Sequence, residues 1–332
     1  MITRRTLIQT TAALGATLAM PHVARAKGKM VRLAHASNEI HPGHKMATSF
    51  KEALDVILPG AFDIQIFPNR QLGSDKQVLE STVAGTLEMS MVSGVLIPLV
   101  TGRPAYDAWQ LPYLVRDYDH FEKLALSPIG QKIQDDLEPA GIIGLATADI
   151  GQRNFLSVKA PVRNVADMKG LKTRIVPVPL HKAIWEALGT APVGLPYGEV
   201  YGALETGVID AVEINVSSML GENLWEVGKN FTLTGHYPWH ASNIVSTGFW
   251  NTLSEEEKEA MREAGRRSVS ATLAYAKEQD LTGRDELRAK GVEIIELENL
   301  DEMRETVAPL TAQWAEKDSL IAEFVEAARA TS

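Results

Sequence analysis

Strand and helix patterns alternate along this sequence, twice and in the same order, and few folds accept that. "MVRLAHAS" reads as a strand, with Val31, Leu33 and Ala34 apolar. "HPGHKMATSFKEALDVIL" places Met46, Phe50, Ala53, Leu54 and Ile57 on one helical stripe, stopped by Pro59-Gly60. "FDIQIFP" alternates Phe62, Ile64 and Ile66 with polar residues, a strand pattern. "LGSDKQVLESTVAG" carries Ser74 and Gln77 at capping-box spacing and ends at Gly85. "TLEMSMVS" follows as a further strand. A β-α-β-α-β order predicts an α/β sheet, with ligands at the carboxyl ends of its strands.

The second run uses "GLKTRIVPVP" as a strand, "LHKAIWEALG" and "PYGEVYGALETG" as helices, and "VIDAVEIN" as a strand. "VAGTLEMSMVSG" and "LETGVIDAVEIN" share a layout. Each is a helix end, a glycine suited to a left-handed C′ position (Gly85, Gly207) and a strand opening apolar-acidic (Leu87-Glu88, Ile209-Asp210). Two matching domains would then present Ser93 and Asn215 at equivalent points. The 332 residues suit two domains of ordinary size. The last third is helical. A capping box at Ser254 and Glu257 opens a helix that persists to about Gly291, long enough to run behind both domains. "VEIIEL" is a late strand, and two closing helices follow.

The N-terminus reads as a removable export signal rather than part of the fold. Paired Arg4 and Arg5 precede a weakly apolar run, and "ARA" stands just before Lys27. The paired arginine with Leu7 and Ile8 resembles a twin-arginine signal, and a Sec signal or a retained anchor is the alternative. The run is too short and too interrupted by Thr and Gly to span a bilayer. Removing residues 1–26 takes away Arg4, Arg5 and Arg25 and no acid, so the net charge moves from −9 to −12. Such a surface repels nucleic acid and anionic lipid, and an anionic ligand would need local positive charge. The chain has no cysteine, which excludes disulfides, thiolate catalysis, iron–sulfur clusters and Cys-ligated zinc.

Catalytic chemistry finds little support. There is no G-x-S-x-G, P-loop or G-x-G-x-x-G motif. His41 and His44 flank Pro42-Gly43 at a helix start, without a third ligand spaced to make a metal site. His236 and His240 flank "YPW" and read as loop or domain-contact residues. Arg153, in "ADIGQRNFL", and Arg174, in the next strand, are better candidates for binding. A guanidinium fork matches a carboxylate in bidentate geometry and stays charged when dehydrated. By residue chemistry alone, anion binding and pairing with a structural acid remain equally open for both.

The residues then become recognisable. "FPNRQLGSDKQVLESTVAGTLEMSMVS", "LPYLVRDYDHFEKL", "GQRNFLSVKAPVRNVADMKGLKTRIVP", "LGTAPVGLPYGEVYGALETGVIDAVE" and "LTGHYPWHASNIVSTGFWNTLSEEEKEAM" occur in this order. Together they resemble the solute-binding proteins of tripartite ATP-independent periplasmic (TRAP) transporters, DctP type, over essentially all of the chain after the signal. The resemblance implies a fold like that of type II periplasmic binding proteins. In it, two α/β domains surround a ligand cleft, joined by hinge strands and a long C-terminal helix. It places residues 27–150 plus about 239–278 in domain I, and 151–238 plus about 279–332 in domain II. It implies a periplasmic receptor, not an enzyme, that needs no cofactor or metal and hands a small organic acid to a TRAP permease. A sugar acid or hydroxy acid is the expected ligand, with a C4-dicarboxylate the alternative. An exported enzyme and a sensory binding module are the other function classes.

The resemblance also implies that Arg174 holds the ligand carboxylate and that Arg153 assists. Asn38, Glu39, Ser93, Glu213 and Asn215 would face the rest of the ligand. One departure stands out. Many proteins of this kind place an asparagine directly after the glutamate, whereas here Ile214 follows Glu213 and the asparagine comes at 215. A shift of one residue reverses the face of a strand. Either Glu213 and Asn215 point into the cleft together, or Ile214 does.

Overall fold

A computed structural model of the chain describes residues 28–331, so the export-signal reading of residues 1–26 lies outside the described residues. The strands are β1 (Lys29–Ala34), β2 (Phe62–Phe67), β3 (Met89–Ser93), β4 (Ile142–Gln152), β5 (Asn154–Ser157), β6 (Lys172–Ile175), β7 (Ala191–Gly194), β8 (Ala211–Ile214), β9 (Asn230–Leu233), β10 (Pro238–Ser246) and β11 (Glu293–Glu296). They form a five-stranded sheet in the order β2-β1-β3-β10-β4 and a six-stranded sheet in the order β11-β9-β5-β8-β6-β7. The two predicted runs thus become two α/β lobes.

Each sheet is parallel except around one visiting strand. β10 lies antiparallel to β3 and β4, and β5 lies antiparallel to β8 and β9. Those visitors are the crossovers. β4 leaves the first sheet at Gln152 and β5 enters the second at Asn154, with Arg153 alone between them. The chain returns from β9 to β10 through residues 234–237. The Arg153 N–H donates to the Tyr237 carbonyl at 3.0 Å, and the His236 N–H donates to the Arg153 carbonyl at 3.3 Å. The two crossings are therefore stitched to each other at one residue.

The local signals hold where they depend only on neighbours. Ser74 caps helix Asp75–Val83 by accepting from the Gln77 N–H, and the Gln77 side chain accepts from the Ser74 N–H at 2.8 Å. Ser254 and Glu257 do the same at the start of the long helix Glu255–Ala289. That helix packs on β4 and helix Pro42–Ile57 in the first lobe and on helix Val216–Gly221 in the second. Two glycines allow the close approach. A Cβ at Gly265 would sit 2.4 Å from the Leu145 carbonyl oxygen, and one at Gly283 would sit 2.5 Å from Val216 Cγ1. One rigid rod is thus seated on both lobes.

The chain end departs from the expected domain boundaries, which put everything after about residue 279 in domain II. β11 does pair with β9, and helix Leu300–Val307 packs on helix Pro179–Ala187. The last helix, Ser319–Ala330, turns back to the first lobe instead. Phe324 meets the Trp109 ring edge-on at 4.6 Å, and the Ala328 carbonyl lies 3.0 Å from His120 Nε2. Just before it, Trp314 Nε1 donates to Asp107 Oδ2 at 2.9 Å. The reason is burial. Ile321, Phe324 and Val325 form an apolar stripe that is buried against the first lobe.

Candidate ligand-binding site

A cavity of about 390 Å³ opens between the lobes. The hinge supplies its floor, Arg153 and Trp239. The Arg153 guanidinium lies over the Trp239 ring with 3.9 Å to the centroid. Its Nε donates to Glu213 Oε2 at 2.5 Å, its Nη2 donates to the Glu213 carbonyl, and Nη1 reaches Asn215 Oδ1 at 3.4 Å. β6 carries Arg174, whose Nε and Nη2 both donate to the Leu195 carbonyl at 3.0 and 2.8 Å. Its Nη1 makes no hydrogen bond among the described residues and stands 3.9 Å from Glu213 Oε1.

The charges do not balance, and that is the central property of the site. Arg153, Arg174 and Glu213 are all nearly or fully buried, at 1%, 2% and 0% exposure. Glu213 Oε2 neutralises Arg153. Glu213 Oε1 has no hydrogen-bond partner among the described residues and lies too far from Arg174 for a direct charged hydrogen bond. His181 Nδ1, also 3.9 Å away, adds no charge, because burial and the two guanidiniums hold its pKa well below the usual imidazole range. The group thus carries one excess positive charge in a dehydrated place. Burial lowers the Arg174 pKa to about 10, against the opposing pull of Glu213, and the guanidinium stays protonated at neutral pH. Such an arrangement can accept an anion, and its geometry suits a carboxylate.

The first lobe provides the facing wall. Asp75 Oδ2 accepts the Ser93 N–H at 3.1 Å, and its carboxyl is raised above the ordinary range by burial, with Ser93 and Arg70 opposing. His41 Nδ1 accepts the Gly43 N–H at 3.0 Å, so the ring proton sits on Nε2 and is donated to Ser218 Oγ across the lobe junction at 3.2 Å. Arg70, held at φ 64°, clasps Glu222 of the second lobe with two contacts at 3.2 and 3.0 Å and covers the Tyr197 ring. These contacts hold the lobes together around the cavity.

The structure distributes the predicted site residues over three places. Arg174, Arg153 and Ser93 line the cavity. Glu213 and Asn215 stand a layer behind, where Glu213 braces Arg153 and the Asn215 amide donates to the Ile150 carbonyl and Ser217 Oγ at 3.0 Å. They share a face, as the first of the two alternatives has it, but the face meets Arg153 rather than the cavity. Ile214 points the other way, into the second lobe's apolar core. Asn38 and Glu39 lie off the cavity. Asn38 packs against Gly221 at the lobe junction, where a Cβ would fall 2.0 Å from Nδ2, and Glu39 is exposed. Of the histidines, His44 Nδ1 pairs with His35 Nε2 at 3.0 Å, and His236 is buried in the hinge. Among the described residues no three His, Asp or Glu side chains converge as metal ligands.

Sequence reasoning passed over Trp239, Asp75, Arg70, Tyr197, His41 and Ser218 as cavity residues. Asp75 and Arg70 carried signals: a carboxylate beside a predicted cap, and an arginine in the turn-like "PNRQLG". Ser218 carried none, since a helix hydroxyl has many ordinary roles.

The family model for bacterial extracellular solute-binding proteins, family 7 (DctP), matches residues 33–318. The C4-dicarboxylate-binding periplasmic protein DctP of Rhodobacter capsulatus is 30% identical over 95% of this chain and 92% of its own. A TRAP periplasmic solute-binding protein of Bradyrhizobium, solved in complex with α/β-D-galacturonate, superposes with a TM-score of 0.86 at 31% identity, covering 91% of this chain and all of that one. One from Xanthobacter autotrophicus, with bound β-D-galacturonate, gives 0.85 at 28% identity over 91% of this chain and 100% of its own. No helix among the described residues is long and apolar enough to cross a membrane. With a hinge-floored cavity, two lobes and a match over nearly its whole length, the chain belongs to the DctP family of bacterial extracellular solute-binding proteins, the solute receptors of TRAP transporters.

Proposed function

We propose that this receptor captures a small hydroxy or sugar monocarboxylate in the periplasm and delivers it to a TRAP permease without chemical change, Arg174 taking the carboxylate and Arg153 assisting. The observation that carries this is the uncompensated buried charge of Arg174. Two guanidiniums share one carboxylate, Glu213, so one ligand carboxylate completes the balance. Ser93 and Asp75 on the opposing lobe offer partners to hydroxyl groups. Binding between the lobes favours the closed form, which is the form a permease can distinguish from the empty one. Relatives solved with galacturonate support the ligand class. Passage through the twin-arginine or the Sec route belongs to the same proposal and rests on the N-terminal pattern.

A C4-dicarboxylate is the second reading. The R. capsulatus relative and Lys76 at the cavity wall favour it. Against it, Lys76 is exposed and already within 3.5 Å of Glu80, and Arg70 is engaged by Glu222. A thermal-shift screen of the protein against sugar acids, hydroxy acids, dicarboxylates and neutral sugars tests the proposal. A ligand bound at one hundred times its Kd stabilises the native state by about 2.7 kcal/mol. Hydroxy monocarboxylates are expected to raise the Tm most. Stabilisation by neutral sugars and by no carboxylate would overturn the reading.

A further inference from the structure

We propose that Asp75 sets the receptor's specificity by accepting a hydroxyl from the end of the ligand remote from its carboxylate and rejecting a second carboxylate there. This rests on the carboxylate-receptor reading and deepens it. Asp75 opens helix Asp75–Val83, where the cap at Ser74 fixes its backbone. Its Oδ2 is held by the Ser93 N–H at 3.1 Å, which pins the carboxyl against the end of β3. The Ser93 hydroxyl lies beside the same carboxyl, and Asp75 lines the cavity on the lobe facing Arg174.

The charges around it sharpen the effect. Arg70 is the nearby cation, and both its terminal nitrogens are taken by Glu222. Arg70, Glu222 and an ionised Asp75 leave this wall with one excess negative charge, whereas Arg153, Glu213 and Arg174 leave the other with one excess positive charge. The two walls of the cavity thus carry opposite charge. A ligand with a carboxylate at one end and a hydroxyl at the other matches both ends. A hydroxyl can donate to the Asp75 carboxylate. A carboxylate has no proton to donate, meets like charge, and leaves both acceptors unpaired. Sites built to bond a ligand hydroxyl reject the analogue that lacks it far more strongly than apolar pockets reject a size change.

Matched probe pairs isolate this position: glycerate and tartronate, threonate and tartrate, galactonate and galactarate. The members of each pair differ only in whether the remote carbon is a hydroxymethyl or a carboxylate. Calorimetric titration of the protein is expected to show the hydroxymethyl member of the tightest pair binding at least about tenfold more strongly. Asp75→Asn keeps an oxygen for the Ser93 N–H and turns an amide donor toward the ligand. It is expected to lower that ratio by at least about tenfold, since the amide welcomes what the carboxylate repelled. The wild-type ratio stands as a test even where the variant fails to fold. A wild-type ratio of one or less overturns the inference and leaves the carboxylate receptor standing. So does a ratio unchanged in a folded Asp75→Asn. Absence of binding to every probe overturns the receptor reading and this inference with it.

Discussion

Arg153 and Arg174 are the same side chain on neighbouring segments, and the structure holds them for different purposes. Arg153 is compensated from within, by Glu213 Oε2 at 2.5 Å and by the Glu213 carbonyl. Among the described residues Arg174 hydrogen-bonds to a neutral carbonyl, Leu195, with Glu213 Oε1 no closer than 3.9 Å. Replacing each by methionine should separate the roles. Arg153→Met strands a fully buried carboxylate and should destabilise the fold by about 3–5 kcal/mol in urea denaturation. Arg174→Met removes a cation that burial already disfavours, so its Tm should stay close to wild type. Two charged hydrogen bonds at roughly 1.5–3 kcal/mol each imply a loss of carboxylate affinity of about 10²–10⁴-fold. An Arg174→Met protein that binds acid normally would return this residue to a structural role. Composition and spacing left both arginines undecided, because the deciding partner, Glu213, lies 60 residues from Arg153 in the chain.

At the scale of elements, the long helix shows how much a pattern can predict. Its start, its length and its place behind both lobes follow from a capping box and a sustained helical run. What the pattern does not contain is the distance to its neighbours. Gly265 is a small residue in a helix interior, where propensity alone favours alanine by about 1 kcal/mol. The close approach to the Leu145 carbonyl, 2.4 Å from where a Cβ would stand, opposes that gain. Gly265→Ala should therefore lower stability by about 1–3 kcal/mol through overpacking. Thermal unfolding checks the sign, and a higher Tm would mean the helix can lift from β4 without loss. The same limit applies to β8. Alternation showed that Ile214 and its neighbours face opposite ways, and only the packing of the second core showed which way.

The whole molecule has an electrostatic character that no single element carries. His35, His41, His236 and His240 are kept neutral, with pKa values lowered to about 3 chiefly by burial. Unfolded rings protonate near the ordinary imidazole value of about 6.5. Their contribution to stability is therefore complete above that pH and is lost as the pH falls from there toward about 3. Asp107 and Asp280 act in the opposite sense. Burial raises each to about 6, so what they contribute is present below the ordinary carboxyl range and is lost as the pH rises through about 6. The histidines outnumber these carboxyls, and lowering the pH from about 7 to about 5 should remove roughly 1–2 kcal/mol per ring before that offset. The Tm should fall across this interval in thermal scans. A Tm that rises would mean the rings are charged in the folded state.

By itself the sequence determined the two α/β lobes, the strand and helix order, the helix caps, the long connecting helix and the two arginines worth attention. All of these rest on neighbours a few residues apart, where periodicity and capping act. Tertiary structure decided that Arg153 is the hinge residue, that Arg174, of the two arginines, lacks a hydrogen-bonded countercharge, and that Glu213 and Asn215 brace the site from behind. It also placed Asp75 on the opposing wall and returned the last helix to the first lobe. Those outcomes depend on which charges are buried together and which apolar faces remain uncovered. Segments far apart in the chain settle such questions only when they meet.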